Sequence, residues 1–298
     1  MFEISLPATS ANLGPAFDAA ALAFDLFLKV RARPAAQFTI SATGRDSEIC
    51  AGVPDHLILN TYRDVLESEG HPAPALALQI ENQIPIGKGC GSSAAARLAG
   101  IALADHFGRL RWPAARIVGE ASRREHHPDN ASACWFGGLA VAHMSSGSEA
   151  QVASVLPKGK WPLLLAIPEE SLSTEKARGV LPSQYSRADA VANIQNSMLL
   201  LTAFILGRPD LLAAALEDRI HQPYRAPLCP LLPALQPLAG KSGILGTVLS
   251  GAGPSVLIFL DPSSGPRGAK AAVAVELRRQ GLSAELILTK ITRRGAGR

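Results

Sequence analysis

The chain has 298 residues, 47% of them hydrophobic, 5% aromatic, and a formal net charge of +4 at pH 7. It is long enough for a sizeable core in two modest domains, and with no repeat, low-complexity tract or long charge run nothing argues for a fibre or a disordered chain. Its basic residues are scattered apart from the terminal TRRGAGR, which argues against a nucleic-acid binder.

The start, MFEISLPATSANLGP, lacks a basic region followed by an apolar core, and no segment approaches the roughly 18 apolar residues of a membrane span. A cytoplasmic address is the expectation. Phe2, Ile4 and Leu6 alternate as in a strand. The polar loop PATSANLGPAFD follows at 7–18, on its own an Asx and glycine turn, then an apolar stretch at 22–30. A helix is predicted over 57–66. From 76 to 84, Leu76, Leu78, Ile80 and Ile84 fall on one side of a half-buried strand.

That strand runs into PIGKGCGSSAA, namely Pro85, Ile86, Gly87, Lys88, Gly89, Cys90, Gly91, Ser92, Ser93, Ala94 and Ala95. Ala94, Leu98 and Ile101 then recur at helical period. Glycines at 87, 89 and 91 let backbone N–H groups turn inward, toward the positive end of the following helix. The combination suits an anion, most often phosphate. Ser92 or Ser93 would either cap the helix or reach a phosphate oxygen or magnesium. A P-loop is excluded because Lys88 lies inside the loop, and the dinucleotide fingerprint because the spacing is G-x-G-x-G.

A second helix over 112–124 ends at Pro128. The segment REHHPDN, 124–130, holds His126 and His127 side by side with no carboxylate at i+4. A structural or substrate-lining role is therefore preferred to metal binding. WFGGLAVAHM gives another strand, and the small, polar residues 145–160 place a domain boundary, with domains at 1–150 and 151–298. Beyond it the pattern predicts a strand at 163–167, helices at 187–206 and 211–219, and a strand at 246–249. The loop SGAGPS, a strand at 256–260, a helix at 269–280 and a strand at 284–291 complete the chain. This irregular alternation favours an α+β body over a doubly wound sheet. Cys50, Cys90, Cys134 and Cys229 are far apart with no C-x-x-C pair, so they read as reduced, buried thiols.

The glycine segment resembles the phosphate-binding motif of the GHMP (galactokinase, homoserine kinase, mevalonate kinase, phosphomevalonate kinase) superfamily, Pro-x-x-x-Gly-Leu-Gly-Ser-Ser-Ala-Ala, with Cys90 in the leucine place. PATSANLGPAFD resembles the N-terminal motif of the homoserine kinase family, with Ala16 for its usual glycine. EHHPDNASA resembles that family's Glu-Gly-His-Pro-Asp-Asn-Val-Ala-Pro, with His126 for Gly, and SGAGPSV resembles the third superfamily motif. STEKARGVLP (173–182) and DRIHQPYRAPL (218–228) resemble segments that bring Arg178 and Arg225 to the substrate.

The resemblance spans nearly the whole chain. It implies a two-domain GHMP-kinase fold, with an N-terminal ribosomal-protein-S5-like domain and a C-terminal ferredoxin-like α/β sandwich. The implied activity is ATP-dependent phosphorylation of the side-chain hydroxyl of L-homoserine, a step toward threonine. Residues 85–95 with Gly251 and Gly253 would hold ATP, and Ser93 with Glu125 or Glu120 would hold Mg2+. Asp129 would take the hydroxyl proton or only orient Asn130 and the loop. Arg178 and Arg225 would fork onto the substrate carboxylate, while Asn12 and Asp18 suit its ammonium and Asn130 lies beside it. The partner is a small molecule, not nucleic acid or membrane, and a homodimer is left open. Two alternatives remain: a sister kinase acting on threonine or another small alcohol, and a non-catalytic ATP- and ligand-binding sensor on the same fold. Intact Ser93, Glu125 and Asp129 argue against the sensor.

Overall fold

The computed structural model describes residues 1–144 and 149–297, so residues 145–148 of the expected boundary segment lie outside the described residues. β1 (Phe2–Asn12) and β2 (Ala16–Pro34) form an antiparallel pair from Phe2↔Ala32 to Asn12↔Ala16. At 19 residues β2 is far longer than the apolar stretch at 22–30, because its start, AFDAAA, has little strand propensity of its own. Pairing on both edges holds it extended. Its second edge is shared between β4 (Leu76–Asn82), opposite residues 28–34, and β5 (Leu139–Met144), opposite residues 20–22. β3 (Thr39–Gly44) and β6 (Ala150–Val155) complete the order β3-β4-β2-β5-β6.

β3 runs parallel to β4, so the chain between them must cross over, which it does through α1 (Ser47–Ala51) and α2 (Leu57–Ser68). α3 (Ser92–Gly108) leaves the glycine loop and buries Leu98, Ile101 and Leu103. α4 (Ala114–Glu125) starts two residues late, since Pro113 is its N-cap and the Trp112 N–H donates to Asp105 Oδ1 at 2.8 Å. α5 (Asp129–Phe136) was not expected from its small and polar residues; Ala133 packs on Ala11, Ala21, Ala23 and Ala140, which let a helix approach the sheet closely.

The second sheet has the order β10-β7-β9-β8, built from β7 (Pro162–Ile167), β8 (Ile244–Leu249), β9 (Val256–Leu260) and β10 (Glu285–Lys290), all antiparallel. Between β7 and β8 lie α6 (Thr174–Gly179), α7 (Arg187–Leu206), α8 (Leu212–Ala215), α9 (Gln222–Arg225) and α10 (Leu231–Leu235), and α11 (Pro266–Arg279) precedes β10. This is the expected ferredoxin-like arrangement of a split βαβ. The helix expected at 211–219 stops at Ala215. Asp218 accepts the N–H groups of Ile220, His221 and Gln222 and so starts α9 instead. All four cysteines are buried free thiols.

β6 pairs with β5, so the sheet changes between Val155 and Pro162, and the tail returns to the first unit where Thr292 N–H donates to Ala23 O. We propose a two-unit division at that change of sheet, with the tail beyond Lys290 counted with the first unit. α7 corrects one expectation, for its 20 residues are long and apolar enough by composition to cross a membrane. One face is docked, however, with Asn193 Nδ2 and Ser197 Oγ donating to Pro15 O at 2.9 and 2.8 Å.

Three loops close on one another as a ring. Thr9 N–H donates to Cys90 O at 3.1 Å, Ser250 Oγ to Gly89 O at 2.7 Å, and Gly251 N–H to Ala11 O at 3.2 Å. Such contact leaves no room for side chains. Gly89 has φ +77° and a Cβ there would overlap Ser250 O and lie 2.8 Å from Gly253 O. At Gly91, φ +70°, it would overlap Thr9 Oγ1. Gly89→Ala is therefore expected to lose well over the ~1 kcal/mol of a left-handed alanine, while Gly70→Ala, with φ +72° and open space, loses only that. Urea unfolding of both variants checks it.

His221 is wholly buried, with Nε2 donating to Gly14 O at 2.8 Å and Nδ1 accepting from Arg225 at 3.2 Å. Burial, reinforced by Arg225 and opposed by Asp218, lowers its pKa to about 4. The unfolded chain, titrating near ~6.5, then binds more protons than the folded one, so this stabilisation is present above ~6.5 and lost as pH falls toward 4. Thermal melts should show wild type losing up to about 2 kcal/mol more than His221→Gln between pH 7 and pH 5. Parallel pH profiles would contradict this.

Candidate active site

The ring of loops surrounds a cavity of ≈ 110 Å³. On one wall, Gly87, Gly89 and Gly91 take φ of 70°, 77° and 70° in alternation with other residues, and α3 begins at Ser92. Alternating left-handed residues aim successive N–H groups to one side, an anion-binding concavity. The side chains of Cys90, Ala94 and Ala95 are buried in the core, so only backbone groups can serve the loop, and the Ala95 N–H is already donated to Gly91 O at 3.0 Å, which removes Ala95 from the expected phosphate contacts. Burial pushes the Cys90 thiol up to about 12, which makes it inert. Lys88 Nζ is held by Glu169 O, and Pro85 is buried beneath the loop with Ile86 beside it. Neither serine caps α3; Gly91 is its N-cap.

Ser93 Oγ points out of the helix and donates to Glu125 Oε1 at 2.6 Å, and Arg97 Nε meets the same oxygen at 2.5 Å. Glu120 is engaged by Arg123 and Arg124 at 2.8 and 2.7 Å, away from the loop. Of the two candidate carboxylates, Glu125 is the one at the serine.

Asp129 opens α5 and is 1% exposed. Its Oδ1 accepts from His127 Nδ1 and from Asn130 N–H, each at 2.6 Å. Asn130 Oδ1 in turn accepts from Thr9 Oγ1 at 2.6 Å. Burial lowers the His127 pKa, but the hydrogen bond and charge of Asp129, with Asp18 and Glu125 near, outweigh it and raise the pKa overall. Oxygen or nitrogen atoms of Asp18, His127 and Asp129 lie within 4.8 Å of one another. His126, at φ +67°, only ends α4.

The first loop turns through positive φ at Asn12, Leu13, Gly14 and Asp18, but not at Ala16, so the residue that replaces glycine needs no left-handed angle. Asn12 Oδ1 accepts the Asp18 N–H at 2.9 Å and its Nδ2 donates to Gly251 O at 2.8 Å, so its amide braces two loops. Asp18 is met by Arg178 at 2.6 Å. Arg225 is 1% exposed, with Nε donating to Ala177 O at 2.9 Å and one terminal nitrogen donating to His221. No carboxylate lies within ion-pairing distance of it among the described residues. Both guanidinium groups lie over the Phe17 ring, at 5.4 and 5.3 Å from its centroid. Thr9, Phe17 and His221 were not singled out in the sequence, although Thr9 lies within the first motif and Phe17 is its penultimate residue.

Beside the glycine loop a second, largely apolar cavity of ≈ 490 Å³ is lined by Ile49, Leu57, Ile84, Ile86, Ser92 and Ala96 among others. A concave anion nest, a neighbouring apolar pocket and convergent buried charge together suit a phosphorylated, flat-ringed ligand and a second, anionic one.

The family model for the GHMP kinases N terminal domain matches residues 56–138, and that for the GHMP kinases C terminal matches residues 200–277. A homoserine kinase of Solibacter usitatus is 44% identical over 87% of this chain and 85% of its own length. One from Desulfitobacterium hafniense is 34% identical over 99% of each chain. The crystal structure of homoserine kinase from Cytophaga hutchinsonii superposes with a TM-score of 0.83, covering 98% of this chain and 95% of that one at 22% identity, a likeness of fold. With both halves of the GHMP architecture matched in order and such relatives covered almost end to end, the chain belongs to the homoserine kinase family of the GHMP kinases.

Proposed function

We propose that the chain transfers the γ-phosphoryl group of ATP to the side-chain hydroxyl of L-homoserine, giving O-phospho-L-homoserine. The observation that carries this reading is Arg225, a buried guanidinium with a carbonyl and a neutral imidazole as partners, facing the same cavity as the glycine loop. A buried charge without a counter-ion is costly, and an amino-acid carboxylate supplies one in bidentate geometry. Arg178 swings between Asp18 and that carboxylate, and Asp18 released from it faces the substrate ammonium. A sister kinase for a neutral alcohol gains nothing from this arrangement.

The triphosphate would be held by the free N–H groups of residues 87–94 at the start of α3, with Gly251 and Gly253 on the far side and the apolar cavity open to the base. Ser93 and Glu125 offer magnesium a hydroxyl and a carboxylate oxygen 2.6 Å apart beside the nest, a donor set that suits an ion keeping most of its waters and phosphate oxygens. When bound, the ion neutralises phosphate charge. The chain's own part is positioning, which dominates in a loose phosphoryl-transfer transition state. Asp129 takes the hydroxyl proton on the oxygen left free by His127 and Asn130, and His127 fixes the orientation of that carboxylate.

In a coupled ADP-release assay homoserine should far exceed threonine, mevalonate and galactose. Preference for mevalonate contradicts the reading, and threonine dominance selects the sister kinase. Arg225→Met should weaken homoserine binding about 10- to 150-fold, the worth of a charge-assisted contact of roughly 1.5–3 kcal/mol, while calorimetric ATP affinity stays unchanged. Glu125→Gln should lower kcat and raise the magnesium requirement, whereas Glu120→Gln should change neither; the reverse pattern would move the metal role to Glu120.

A further inference from the structure

Residues 292–297 of the basic run TRRGAGR lie against the end of α5 that is far from Asp129. The N–H groups of Ala296 and Gly297 donate to the carbonyls of Cys134 and Trp135, each at 3.0 Å. These belong to the last turn, whose carbonyls a helix cannot satisfy within itself. The segment is in turn anchored on the first sheet, for Thr292 N–H donates to Ala23 O of β2 at 2.9 Å and Thr292 O accepts the Gly138 N–H at 2.8 Å. The approach is closer than a side chain allows. A Cβ on Gly295 would overlap Trp135 O and lie 2.6 Å from Gly137 N, and one on Gly137 would overlap Arg293 O. Gly295 has no left-handed φ, so space alone demands glycine there.

These bonds bear on the site because α5 carries Asp129 at its other end. On the sheet side, Ala133 packs on Ala11, Ala21, Ala23 and Ala140. Such a surface of methyl groups holds a helix close but offers few ridges to fix it along its axis. Directional bonds at the last turn supply that constraint. With eight residues α5 is a rod only about 12 Å long, so a shift at Trp135 reaches Asp129.

We propose that residues 295–297 are positioning residues for phosphoryl transfer, a backbone clamp on the last turn of α5 that sets the reach of the Asp129 carboxylate to the substrate hydroxyl. The clamp rests on the reading of Asp129 as proton acceptor. It also joins the two units. The segment follows β10 directly, with Ile291 bridging to Phe24 of β2, so the strand at the edge of the second sheet is tied through a few residues to a carboxylate of the first unit.

Gly295→Ala in the full chain, with its far-UV dichroism and melting point checked, tests the clamp. The added methyl must push the segment off α5, and kcat should fall about 10- to 100-fold, the scale of a small misplacement of a reacting group, while KM for ATP and for homoserine stays within about two-fold. Gly268→Ala on α11, where a Cβ meets open space, should change neither. A general loosening of the fold would act whatever residue stands at 129, whereas a positioning loss needs the carboxylate. Asp129→Asn should itself lower kcat about 10²- to 10⁴-fold, and Gly295→Ala added to it should lower kcat by less than about two-fold more. Should Gly295→Ala fail to fold, Gly297→Ala decides. Its methyl meets the Trp135 indole, 2.6 Å from Nε1, a side chain that can yield, and it should lower kcat with KM kept, the loss again vanishing beside Asp129→Asn. Unchanged kcat in the folded glycine variants, a loss that falls on KM, or the same factor lost with and without Asp129→Asn would overturn the clamp and leave Asp129 as the base. Wild-type kcat in Asp129→Asn would overturn the reading of Asp129, and the clamp with it.

Discussion

The site depends on how closely three backbone loops approach one another. Gly89 lies against Ser250 and Gly253, Gly91 lies against Thr9, and neither position has room for a Cβ. Glycine is needed there on two counts, a left-handed φ and the absence of a side chain. The backbone bonds that result, from Thr9 to Cys90, from Ser250 to Gly89 and from Gly251 to Ala11, make a ring that no one of the loops can hold alone. Segments as far apart in the chain as Ala11 and Gly251 are thus held in register by the same few atoms.

That rigidity places charge where a mobile loop could not. Asp129 starts a buried helix and is fixed by His127 and Asn130, while Asn130 is pinned through Thr9 to the first loop. Arg225 is fixed from the other unit by Ala177 and His221, and His221 is itself bonded to Gly14. A guanidinium and a carboxylate both 1% exposed thus face one small cavity from two units. Phosphoryl transfer demands alignment and neutralisation more than covalent chemistry from the protein, so such pre-set charges are the relevant investment.

Much of this was legible in the sequence because local rules and long-range packing agree there. Alternation gave β4, glycine spacing gave the anion loop, and the irregular order of strands and helices gave an α+β body, while the ferredoxin-like form of the second unit came from the family resemblance. Reading failed where tertiary contacts override propensity. The alanines that begin β2 and the small residues of α5 look featureless until they are seen packed on each other. The shortened α8 follows from the Asp218 carboxylate capping the next turn, which competes with helix continuation. At the site, residue types were recognised but their partners were not. Asn12 looks like an ammonium ligand and spends its amide bracing two loops, while Arg178 and Asp18, read as separate substrate contacts, meet each other. Glu125 fits the motif and Glu120 on the preceding turn rivals it, and only packing shows which one reaches Ser93.

Hydrogen exchange of the full chain with and without MgATP, homoserine being left out, tests the ring most directly. If the loops form one braced unit, amides at 9–18, 87–95 and 250–254 should gain protection together, with the same change in opening free energy, even though the proposed triphosphate site lies on the second and third loops and leaves 9–18 untouched. Protection confined to 87–95, with 9–18 and 250–254 exchanging as in the free chain, would show that the loops are merely adjacent and would contradict the account.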